Sequence, residues 1–86
     1  MAKVNYIWAI AVAEISINGD MFVTTTSAAK ELKNASELFD KLIWTYIKEY
    51  GFTVEDEENT FAKSTVYMRN GRGKQAILTC TKTPLQ

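Results

Sequence analysis

The residues best equipped for chemistry lie together at Arg69-Asn70-Gly71-Arg72-Gly73-Lys74. Three cations converge there on a turn whose glycines can present backbone N–H groups, which is how a small anion or a phosphate is held. The same residue types also make ordinary solubilising turns, so the cluster by itself names no ligand. Phe61, Lys63 and Tyr67 lead into the turn in alternation with inward-facing residues, and Tyr6 and Trp8 can extend the row. Aromatic side chains on a sheet with cations at its edge can stack bases, which makes a small anionic or nucleotide-like ligand, or a single-stranded nucleic acid, a candidate partner. The chain lacks the glycine–aromatic signatures of single-strand RNA-binding sheets, and an aromatic sheet face serves equally well as a homodimer seam.

Two further clusters point to protein binding. Trp44 falls about 150° from the centre of a helical apolar stripe, on the side shared by Glu37, Lys41 and Lys48. An exposed indole costs solubility and tryptophan is enriched at interface hot spots, so Trp44 with Lys41 and Lys48 is a candidate protein-binding surface. The competing reading lays the ring flat over the two lysine stems. The run Glu55-Asp56-Glu57-Glu58 is the second candidate. It lacks the alternating carboxylates and the glycine of a calcium loop, so it reads as a solvated acidic connection and no metal site is assigned to it.

Catalysis finds little support. The chain has no histidine, and its one cysteine, Cys80, falls on the inward side of a strand with no activating base in view. A non-enzymatic protein without a cofactor is the expectation, with Cys80 as buried apolar filler. The net charge is zero but unevenly spread: residues 59–86 carry five basic and no acidic side chains, and residues 1–58 carry five basic and ten acidic ones. Strong non-specific nucleic-acid binding needs many phosphate neutralisations, which a neutral chain with one compact basic tip does not offer.

The elements that must position these groups follow from length and pattern. Eighty-six residues, 47% of them hydrophobic, make one small domain near the lower limit for a self-sufficient core, so a second copy or a partner is plausible support. A single cysteine forbids an internal disulfide and fits a reducing, cytoplasmic setting. The apolar run Val4 to Ile17 superficially resembles a targeting segment, but Asn5, Glu14 and Ser16 interrupt it and a central strand buried on both faces is the better reading.

Two Asn-Gly pairs, Asn18-Gly19 and Asn70-Gly71, each lie between strand-like runs and predict two hairpins with two-residue turns. Between them Ala35, Leu38, Phe39, Leu42, Ile43, Tyr46, Ile47 and Tyr50 recur at helical spacing, with Asn34 and Glu37 resembling a capping box and Gly51 placed to stop the helix. Ser27 can cap a shorter helical turn before it, and whether the two helical segments, 28–33 and 35–50, are continuous is open.

The expected fold is α+β: a ββαββ chain forming a four-stranded, mainly antiparallel sheet with the helix on one face. In the first strand the small odd residues, Ala9, Ala11 and Ala13, are expected beneath the helix, leaving the larger even face for a second copy or a ligand. Residues 53–58 form an acidic connection that can begin or end as strand, strands follow at about 60–69 and 74–82, and 83–86 form a frayed tail. The function these features favour is stoichiometric occupancy of a protein partner, of the kind small inhibitors use, including those of phages and mobile elements. The rival is the small anionic ligand at Arg69, Arg72 and Lys74.

Overall fold

The computed structural model describes residues 6–84, with the backbone alone at position 25. The chain runs β1 (Tyr6–Ile15), β2 (Met21–Ala29), α1 (Leu32–Lys48), β3 (Phe52–Asn59), β4 (Lys63–Asn70) and β5 (Gln75–Pro84). The strands form one antiparallel sheet in the order β2-β1-β5-β4-β3. The α+β class with one helix on an antiparallel sheet is as expected. The expected four strands in ββαββ order are corrected to five in ββαβββ order, because the acidic stretch is itself a strand. Glu55 to Glu58 can hold strand geometry because β3 is a sheet edge, where carboxylates on both faces reach water and repel any further strand. A bulge between Val54 and Asp56 completes that protection.

The long β1–β5 pairing joins the first strand to the last, so the core closes only once nearly the whole chain is in place. That core lies between the sheet and α1. Ile10 and Val12 of β1, Val66 and Met68 of β4, and Ala76, Leu78 and Cys80 of β5 meet Ala35, Phe39 and Tyr46 of the helix. The even face of β1 is therefore the covered one, and Ala9, Ala11 and Ala13 lie on the opposite face, reversing the expectation. Burying Ile10 and Val12 removes far more apolar surface from water than burying alanines would. The close helix–sheet approach that alanine provides is supplied instead by Ala35 and Ala76, both fully buried.

Local signals at the turns hold with a change of geometry. In the first loop Gly19 N–H donates to the Ser16 carbonyl at 2.9 Å, Ser16 N–H donates to the Asp20 carbonyl, and Gly19 takes φ +90°. In the second, Gly73 N–H donates to the Asn70 carbonyl at 3.1 Å, Asn70 N–H donates to the Lys74 carbonyl, and Gly73 takes φ +87°. Both are three-residue loops with a left-handed glycine in the bulge position, not two-residue Asn-Gly turns. Gly71, the expected turn glycine of the second hairpin, has no positive φ.

The helix begins a turn earlier than Asn34. Glu31 occupies the cap position without a side-chain cap bond, Asn34 is helical and the capping box does not form, while Ser27 to Ala29 belong to β2. Starting at Leu32 lets that side chain line a small hollow with Trp8 and Phe39. The helix ends at Lys48 with Glu49 as its cap, two residues short of the expected Tyr50, and Gly51 turns the chain into β3 at φ +72°. Thr83 and Pro84 extend β5 and are not frayed, and residues 85 and 86 lie outside the described residues, as do Val4 and Asn5 of the expected first strand. Among the described residues no helix is long and apolar enough to cross a membrane.

Candidate functional site

Three surfaces bear the residues singled out above. The first is the sheet face turned away from α1, which nothing among the described residues covers. Strand register places Ala9, Ala11 and Ala13 of β1 beside Thr81, Thr79 and Ile77 of β5, and those beside Lys63, Thr65 and Tyr67 of β4. On the other side Val23 of β2 lies next to Ala13, and Met21 next to Ile15. The face is thus divided. Over β1 and β2 it presents Ala9, Ala11, Ala13, Ile15, Met21 and Val23, over β5 it presents Ile77 among Gln75, Thr79 and Thr81, and over β4 and β3 it carries Lys63, Arg69, Asp56 and Glu58 around the buried Thr65. Tyr67 marks the boundary, and its hydroxyl donates to Glu58 Oε1 at 3.1 Å.

The second surface is the outer side of α1. Trp44 lies outside the buried helix stripe and is 57% exposed. The Lys48 ammonium sits 5.1 Å from its ring centroid, the cation-over-indole arrangement that competes with a free hot spot. Lys41 and Glu37 share this exposed side of the helix. The acidic candidates do not join Trp44 there. Glu55 pairs with Arg69 Nε at 3.2 Å, Glu58 accepts from Tyr67, and Asp56 Oδ1 accepts from the Glu57 backbone N–H. Glu57 lines the hollow beside Asp40 and Ile43 instead. No cluster of three or more potential metal ligands occurs among the described residues.

The third is a cleft of about 690 Å³ at the turn end of the sheet. Ser16, Ile17 and Asn18 of the first loop form one wall, Asn70, Arg72 and Lys74 of the second loop another, and Tyr46, Tyr50 and Phe52 at the helix end the third. Glu14, the one charged residue of β1, lies at its floor and binds Lys74 Nζ at 3.0 Å. Tyr46 packs edge-on to Tyr50 and Phe52, with ring centroids 5.0 and 5.2 Å away. Burial first, then the negative charge of Glu14, pushes the Tyr46 phenol up to about 12. The folded chain therefore holds this proton more tightly than the unfolded chain, whose phenol titrates near pH 10. The stability this represents is complete below about pH 10 and is lost as pH rises toward 12. Urea midpoints measured across that range will fall more steeply for the parent than for Tyr46→Phe.

The residues proposed for an anion or nucleotide are distributed over more than one surface. Arg72 and Lys74 reach the cleft. Lys63, Tyr67 and Arg69 lie on the open sheet face, Phe61 is solvated just before β4, and Trp8 packs against the core on the helix side. The aromatic row is therefore split between the two faces of the sheet. The turn's backbone is also engaged: Asn70 Oδ1 accepts from the N–H groups of both Arg72 and Lys74, leaving side chains to meet an anion. Cys80 is buried among apolar neighbours, and burial raises its thiol pKa, the opposite of nucleophile activation.

Tyr46 takes the core position its helical spacing predicts, whereas Tyr50 of the same stripe is exposed at the cleft mouth, and Glu14 and Phe52 join them there. A lone carboxylate in a ten-residue apolar strand was the available signal for Glu14. Comparison with protein-family models, with curated proteins and with solved structures returns no match.

Proposed function

We propose that this chain is a non-enzymatic binding protein that acts by stoichiometric occupancy of a protein partner, as a small inhibitor does. The observation that carries this reading is the uncovered sheet face: one helix packs on only one side, and the other side presents Ala9, Ala11, Ala13 and Ile77 along its two middle strands. Small apolar side chains interleaved with threonines and bordered on one side by charge fit a protein interface of mixed character, with a polar rim. The partner chemistry that fits is a folded surface with an apolar patch, set beside groups that complement Lys63, Arg69 and Glu58. Trp44, on the far side of the helix, is then a bystander. Affinity capture from the native cell, quantified against the parent, tests this: Trp44→Ala retains the captured partner at parental stoichiometry, and its loss would move the surface to the helix.

The same geometry supports a homodimer through β2. This edge strand carries no charged residue from Met21 to Ala29, and Met21, Phe22 and Val23 are exposed, Val23 to 67%. An uncharged, β-branched edge is a template for another strand, whereas the acidic β3 edge rejects one. Pairing of two β2 strands would join two open faces into one wider surface. Val23→Lys is expected to shift the dimer to monomer in native mass spectrometry, and a monomeric parent would remove this part of the reading.

A further inference from the structure

We infer that the cleft between the two hairpin loops and the end of α1 is a binding site for a mononucleotide-like ligand, a planar heteroaromatic ring carrying an anionic group. The volume of about 690 Å³ lies within the range of small-ligand sites, roughly 300–1,000 Å³, and has room for one nucleotide. Its walls have opposite characters. Tyr50 is 58% exposed at the mouth, and its ring is held edge-on against the buried Tyr46, so it offers a braced platform for a ring to stack on. Across the cleft stand Arg72 and Lys74.

Arg72 has no carboxylate partner among the described residues, in contrast to Arg69, which is held by Glu55, and Lys74, which is held by Glu14. Its backbone is fixed by the bond from its N–H to Asn70 Oδ1, so the guanidinium is presented from a rigid turn. A guanidinium in this position suits a phosphate or carboxylate. The carbonyl end of α1 makes the opposite wall the negative one, which directs the anionic group of a ligand toward the hairpin. Glu14 on the floor then accepts from an amine or N–H of the ring, and Lys74 both neutralises Glu14 and faces the anion. The Tyr46 phenol is engaged with Glu14, so its part is to brace Tyr50 and the carboxylate and not to meet the ligand.

None of this uses the open sheet face, so the site and the protein-binding surface stand or fall separately. The test is titration of the full chain with AMP, GMP, CMP and UMP, followed by backbone amide NMR, with adenosine and inorganic phosphate as partial probes. At least one nucleotide is expected to bind one-to-one, shifting resonances at Glu14, Tyr50 and Arg72, and to bind about tenfold or more tighter than either partial probe. Arg72→Ala and Tyr50→Ala, both at exposed positions, each weaken that binding about tenfold, whereas Arg69→Ala on the sheet face leaves it unchanged. No shift at these residues with any nucleotide at about 5 mM would overturn the assignment. So would phosphate alone binding as tightly as the nucleotide, or a short oligonucleotide binding far more tightly than one nucleotide, since the cleft holds a single unit. Undiminished binding by Arg72→Ala, which retains the fold by its amide spectrum, would overturn it as well.

Discussion

Ala11→Arg is expected to weaken binding to the protein partner by about 100-fold or more while leaving the fold intact. Ala11 lies at the middle of the open face, between Ala9 and Ala13 along β1 and beside Thr79 on β5. Its Cβ points away from the helix, so a long side chain there extends into solvent and displaces nothing in the core. In a complex the same guanidinium would be buried without a counter-charge at the apolar centre of the interface, where the cost runs to several kcal/mol. The thermal midpoint is expected to move by only a few degrees, as for other surface substitutions. Titration of the captured partner against both chains, with circular dichroism melts alongside, measures the two quantities together.

Leu78→Ala is expected to destabilise the chain by about 3–4 kcal/mol, and the neighbouring Ile77→Ala by about 1 kcal/mol or less. Leu78 is fully buried at the centre of β5, the middle strand of the sheet, within the core cluster beneath the helix. Truncation there loses the transfer energy of the side chain and leaves a void that the rigid sheet cannot fill. Ile77, one residue earlier, faces the open side between Ala13 and Tyr67 and is already partly solvated. Against the total of about 5–10 kcal/mol expected for a domain of this size, the first change removes a large fraction and lowers the midpoint by about 15 °C or more. Similar losses at both positions would mean that the open face is covered.

Much of this architecture can be read from local pattern, and the failures are instructive. The helix is legible because Ala35, Phe39, Leu42 and Tyr46 repeat at helical spacing and Gly51 stops it. The second hairpin is legible because Ala62, Val66, Met68, Ala76, Leu78 and Cys80 alternate in sequence; all but Ala62, which precedes β4 and is half-buried, lie in the core. The orientation of β1 is not legible in the sequence, because both of its faces are apolar and alternation gives no sign. What decided it was the greater area of Ile10 and Val12, together with two alanines elsewhere that already provide the close contact. Glu55 to Glu58 look unlike a strand because propensity says nothing about position, and only an edge position makes four acids tolerable there.

The candidate site was legible in its parts and not in its assembly. Arg72 and Lys74 stand out in any reading of the chain, but their natural companions in sequence, Phe61 and Tyr67, end up elsewhere. The rings that do meet them, Tyr46, Tyr50 and Phe52, come from the helix end and the start of β3. That meeting depends on the sheet order, which places β1 beside β5 and both hairpin loops at one end. No spacing along the chain encodes it.

Site-directed photo-crosslinking tests the proposed recognition surface most directly. Tyr67, an aromatic residue at the boundary of the open face, can be exchanged for a photoreactive phenylalanine of similar shape, and Trp44 exchanged likewise on the helix. Irradiation in the native cell is predicted to give a discrete adduct with a different protein from position 67, abolished by adding Ala11→Arg, and none from position 44. An adduct from position 44 with none from position 67 would contradict the account and place recognition on the outer face of the helix.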